Sequence, residues 1–152
     1  MTRTAIRSLA FALLAGITLP GCSDSKRPPT FPVTGKVMYN KTTVPAGAMV
    51  YFHPLDPEVE KKNGGKPFGK VKEDGTYLLT MYGPDDGAPE GEYGVTFDWR
   101  GKPKDAPKFQ LTEEGGPVGK PLLNPKYGNP QQPVFKVTVK KGEKNEFNFD
   151  VD

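Results

Sequence analysis

The chain has 152 residues, one domain's worth, with 21 Lys and Arg against 18 Asp and Glu. Arg3 and Arg7 belong to an N-terminal leader without acids, so the remainder is close to neutral. That balance excludes a nucleic-acid binder working through a basic face. One cysteine excludes an intrachain disulfide, and one histidine, His53, excludes a His-based zinc site.

The first element is the leader at 1–21. Arg3 and Arg7 precede an uncharged, mostly apolar run from Ser8 to Leu19, after which the chain turns abruptly polar. That is the layout of a secretory signal peptide. The run is short of the roughly 20 residues that span a bilayer. Leu19-Pro20-Gly21-Cys22 resembles the lipobox of bacterial lipoproteins, with Pro20 where Ala, Ser or Thr is commoner. The resemblance implies that Cys22 is acylated and becomes residue one of the mature protein. Several acyl chains, at about 0.8 kcal/mol per buried methylene, then hold it on the membrane without spanning it. Ser23 in place of Asp favours the outer membrane by the sorting rule of such proteins. Residues 22–32 read as a polar, Pro-containing tether, with the fold starting near Pro32.

From Val33 onward the hydrophobic period is two. Val33, Val37 and Tyr39 alternate with Thr34, Lys36 and Met38, and Ala48, Val50 and Phe52 with Met49, Tyr51 and His53. Phe68–Val71 is a shorter candidate strand. Tyr77, Leu79 and Met81 alternate with Thr76, Leu78, Thr80 and Tyr82, and Tyr93, Val95, Phe97 and Trp99 with Gly94, Thr96 and Asp98. Phe135, Val137 and Val139 repeat the pattern, and so do Phe147, Phe149 and Val151. Such runs are half-buried strands. Glu73-Asp74-Gly75 is a tight turn, and Lys141-Gly142-Glu143-Lys144 is expected to join the last two strands as a hairpin. Outside the leader no helical spacing competes. The expectation is an all-β, antiparallel seven-stranded sandwich over 33–152, with a long Pro/Gly-rich loop at 100–133.

Val33-Thr34-Gly35-Lys36-Val37, Val50-Tyr51-Phe52, Glu73-Asp74-Gly75-Thr76-Tyr77 and Gly91-Glu92-Tyr93-Gly94-Val95, in that order, resemble the carboxypeptidase regulatory-like, transthyretin-like sandwich. The nearer likeness is the version in planctomycete-type bacterial lipoproteins, where a lipobox precedes one such domain. In that version a stretch like Pro121–Gly128 leads into a final hairpin like Phe135–Val151. The resemblance implies a fold and an anchor, and no activity.

Catalytic chemistry is thin. Ser23 and Ser25 are the only serines after the leader and both lie in the tether. A nucleophile would need His53 as its base, and His53 reads as a partly exposed structural residue beside Pro54. No carboxylate pair is fixed across a cleft. Asp85 and Asp86 are weak calcium candidates in a Gly/Pro loop, where Asp also serves turns for local reasons. Tyr39, Tyr51, Tyr82, Trp99 and Tyr127 are candidates for a sugar-stacking surface, with Trp99 and Tyr127 the foremost ligand contacts, against the plain reading that they fill the core.

These observations predict a non-catalytic, membrane-anchored envelope lipoprotein without a cofactor, acting as a binding or scaffolding module. Its expected partners are the membrane, through the lipid anchor, and an envelope protein or glycan, and not nucleic acid. The alternative is a carbohydrate- or calcium-dependent adhesive module, with a small hydrolase as the remote third reading.

Overall fold

Strand β3 (Met49–Pro54) shows how the alternation is used. Val50 and Phe52 point inward and are fully covered, while Met49, Tyr51 and His53 on the opposite face are half-buried. The computed structural model describes residues 27–101 and 119–152. The expected leader at 1–21, Cys22 and the middle of the 100–133 segment lie outside the described residues. Within them the chain is all-β apart from one short helix and one 3-10 turn, with ten short strands where seven were expected.

β3 lies inside an antiparallel sheet ordered β4 (Phe68–Lys70), β3, β7 (Gly91–Asp98), β8 (Phe135–Val139). β7 is buried from Tyr93 to Phe97 on both faces. Its inner residues Tyr93, Val95 and Phe97 join the core. Its outer Gly94 lies under Pro133, whose Cγ a Cβ at this position would meet at 2.6 Å.

The second sheet is built on β2 (Val33–Tyr39). β5 (Thr76–Leu78) flanks it antiparallel on one side. On the other side β9 (Asn145–Glu146) and β10 (Phe149–Val151) both run parallel to it. The inner faces of the two sheets share one core. Phe149 meets Phe97 of the opposite sheet at 5.3 Å and Phe52 at 6.5 Å between ring centroids. The sheets also touch along one side, where Phe68 and Thr80 exchange main-chain hydrogen bonds of 3.0 and 2.8 Å.

Four expectations are corrected. Lys141–Lys144 does not close a hairpin. β8 pairs with β7 and the last strands pair with β2, so the chain crosses from one sheet to the other. Asn145, 5% exposed, holds that crossing: its amide donates to the Lys140 carbonyl and its oxygen accepts from the Lys140 N–H. The tether ends earlier than Pro32, since β1 (Thr30–Phe31) pairs with β6 (Ala88–Pro89) and Phe31 packs on the core. Gly87, at φ 91°, makes that approach possible, because a Cβ there would stand 1.9 Å from the Phe31 carbonyl oxygen.

A helix, α1 (Pro57–Asn63), follows β3. The Asp56 side chain caps it by accepting from the Glu58 N–H, Pro57 occupies its first turn, and Gly64 ends it in the left-handed conformation. Finally, the described ends of the 100–133 segment are structured. Arg100 bridges to Pro121, and Pro125–Gly128 forms the 3-10 turn that carries Tyr127 into the core.

Candidate functional site

The outer face of β3 and β7 forms the floor of a cleft of about 400 Å³. Antiparallel register sets Tyr51 opposite Thr96, with His53 two residues along on the same face. His53 Nε2 and Thr96 Oγ1 share a hydrogen bond of 2.8 Å. Burial holds the His53 pKa below its ordinary value, and the nearby Lys66 ammonium pushes the same way, so the ring is neutral at pH 7. Lys66, from the loop after α1, sits over the Tyr51 ring at 5.6 Å.

The end of β7 supplies Trp99, half-buried with its ring edge-on to Tyr39 at 5.5 Å. Arg100 follows and binds both oxygens of Asp98 through Nε, at 2.8 and 2.9 Å. The returning chain makes the opposite wall. Leu122 N–H donates to the Trp99 carbonyl and Gly101 N–H to that of Lys120. This lays Pro121, Leu123, Pro125 and Pro130 along the cleft, with Asn124 capping the 3-10 turn through the Lys126 N–H.

A wider hollow of about 630 Å³ runs along β4 and β5, past Phe68, Lys70, Lys72, Glu73 and Asp85. Its charges are mixed, and of the residues singled out from the sequence it contains Asp85 alone. The β3–β7 cleft gathers more of them: Tyr51, His53 and Trp99.

The remaining candidates fall elsewhere. Tyr127 lies away from the cleft: it is 5% exposed, stacked on Phe135 at 6.0 Å and crosswise on Phe97 at 6.3 Å, with its hydroxyl bonded to the Asp152 carboxylate. The five aromatic candidates therefore do not form one surface, and of them Tyr51 and Trp99 line the cleft. Asp86 is committed to its own loop, its carboxylate accepting from the N–H groups of Met81, Tyr82 and Gly83 at 2.7 to 3.0 Å. Asp85 adopts φ 55° and donates its N–H to Thr80 Oγ1. Among the described residues no three His, Cys, Asp or Glu side chains are gathered as metal ligands.

Thr96 is 5% exposed, and its hydrogen bond with His53 fixes the orientation of the ring on the floor of the cleft. Around it stand two aromatic rings, an amide, two cations and one carboxylate on a rigid sheet, the mix of a polar-rimmed binding site. Sequence reasoning missed Lys66, Thr96 and Asn124 as its neighbours. Thr96 becomes visible only once β3 is aligned with β7, whereas Asn124-Pro125 is a local turn-start signal. Comparison with known protein families, with curated proteins and with solved structures returns no match for this chain.

Proposed function

We propose that this chain is an exported envelope lipoprotein, held on the outer membrane by acylated Cys22, whose transthyretin-like sandwich binds an envelope protein or glycan without transforming it. The observation that carries the binding role is the cleft between His53–Thr96 and the Trp99–Pro121 wall. Its one histidine–hydroxyl pair is closed on itself, while its aromatic and charged rim faces outward. The leader and lipobox pattern of residues 1–22 support the anchor.

Tyr51 and Trp99 favour a glycan over a protein as the ligand. An aromatic face receives the apolar side of a sugar ring, and Asn124, Asp98 and Arg100 offer partners to its hydroxyls. Two measurements test the reading. Fractionation with acyl labelling should find label on the unmodified protein and none on Cys22→Ala; an unlabelled wild type removes the anchor. A glycan array should give binding that Trp99→Ala and Tyr51→Ala abolish at unchanged melting temperature. Binding that survives both substitutions removes the cleft.

A further inference from the structure

The β3–β7 cleft carries an imbalance of charge. Its side chains include one carboxylate, Asp98, and two cations, Lys66 and Arg100. Both Asp98 oxygens accept from Arg100 Nε, so that carboxylate is neutralised in place. Lys66 is exposed and belongs to no ion pair among the described residues. Its ammonium stands over the Tyr51 ring at 5.6 Å, on the floor of the cleft. One unit of positive charge is therefore left over among the described cleft residues. Glu60 on α1 does not reverse this, because Lys66 acts on His53 more strongly than Glu60 does.

The polar groups point the same way. Arg100 uses only Nε on Asp98, and its two terminal amino groups have no partner among the described residues. Asn124 accepts the Lys126 N–H through Oδ1, which leaves its amide nitrogen to donate. The Thr96 hydroxyl is engaged with His53. The side chains of the cleft are thus rich in donors and poor in free acceptors. A neutral sugar presents hydroxyls that donate as well as accept and needs partners of both kinds. An oxyanion only accepts, and hydrogen bonds to an ionised acceptor are the stronger ones. The two cations are also spread along the floor. Lys66 stands over the row in which Tyr51 faces Thr96, and Arg100 folds back on Asp98, two residues or roughly 7 Å further along β7. That spacing follows the path of a chain of sugars.

We propose that the glycan bound in this cleft is acidic, its sugars carrying carboxylate or sulfate groups that Lys66 and Arg100 receive while Trp99 packs against a ring face. This rests on the glycan reading above and adds the charge of the ligand. Opposite charge also speeds encounter and turns away neutral competitors that share the same rings.

Trp99 is the sole tryptophan of the chain, so its emission reports on the cleft directly. The test titrates the protein, purified in neutral detergent, with uronate oligomers of several backbones, with the same oligomers after carboxyl reduction, and with sulfated galactan oligomers. An acidic oligomer should shift the emission saturably and bind at least about fivefold more tightly than its neutral counterpart, the worth of one exposed ion pair. Salt at about 1 M should erase that difference, because charges are then screened within about 3 Å. Lys66→Gln should remove the preference and Lys66→Arg should keep it. Lys70→Gln, a cation of the other hollow, should leave it unchanged. A response to the uronates alone identifies a carboxylate, and one to the sulfated oligomers alone a sulfate.

Equal binding of acidic and neutral oligomers overturns the acidic ligand and keeps the glycan reading. A preference undiminished in Lys66→Gln places the charge outside the cleft and overturns the assignment. If no oligomer of either kind moves Trp99, the glycan reading falls and the acidic ligand falls with it.

Discussion

The Tyr77 hydroxyl donates to the main-chain carbonyl of Phe147 at 2.8 Å, tying together residues 70 apart. Gly35 lies between them on β2, and a Cβ there would stand 1.8 Å from the same carbonyl oxygen. Tyr77→Phe is expected to cost about 1–2 kcal/mol, since it leaves that carbonyl without its donor. Gly35→Ala should cost more, at least about 3 kcal/mol, because main chain must move. Denaturant unfolding of both variants measures the order, and an alanine tolerated at Gly35 would mean that the last strand does not lie against β2.

Burial raises the pKa values of both Tyr77 and Tyr93 well above the ordinary phenol value. Above pH of about 10 the unfolded chain releases those protons and the folded one keeps them, so stability falls as pH rises. Each tyrosine contributes a slope of about 1.4 kcal/mol per pH unit, starting at its unfolded pKa and ending at its folded one. Below that window neither contributes. Urea melts between pH 9 and 12 should show the decline, and Tyr77→Phe should reduce its slope. A flat profile would place the hydroxyls in water.

Asp86 acts within its loop. Asp86→Ala frees three N–H groups and is expected to cost about 2 kcal/mol. Calcium or a chelator should leave the melting temperature of the unmodified protein where it was. A calcium-dependent rise would show the carboxylate exchanging its main-chain donors for a metal.

Within the core, Phe149 carries more than Phe147. Phe149 is 6% exposed and touches rings from both sheets, while Phe147 is only partly buried. Phe149→Ala should cost about 3–5 kcal/mol and Phe147→Ala less. Lys140→Ala, on the exposed turn, should stay within about 0.5 kcal/mol. Equal losses at the two phenylalanines would mean that Phe147 is packed as deeply as Phe149.

Period-two patterning made the strands legible: Val50 and Phe52, Tyr93, Val95 and Phe97, and Phe149 with Val151 are buried as the alternation requires. The helix α1 escaped a reading based on hydrophobic spacing, although local signals mark its ends. Asp56-Pro57-Glu58 begins it and Lys61-Lys62 before Gly64 ends it, while its seven residues are too few for an apolar stripe. Of the cleft, Trp99 could be singled out because it ends a strand beside a Pro-rich segment. The burial of Tyr127 was not legible, because an aromatic among prolines and glycines looks exposed until the 3-10 turn delivers it to Phe97 and Phe135.

By itself, then, the sequence determined which face of each strand is apolar, where the turns fall and that the chain is all-β. Partner choice was decided only in three dimensions. Alternation says that Phe149 faces a core, but it is silent on whether the strand pairs with β8 across Lys141–Lys144 or crosses to run parallel beside β2. The same silence hid the β1–β6 ladder and the meeting of Tyr51, Lys66, Trp99 and Arg100 in one cleft. Local patterning reports a residue's own burial. Pairing and clustering depend on packing between segments far apart in the chain, whose loop-closure cost varies only slowly with length and so leaves no mark on local sequence.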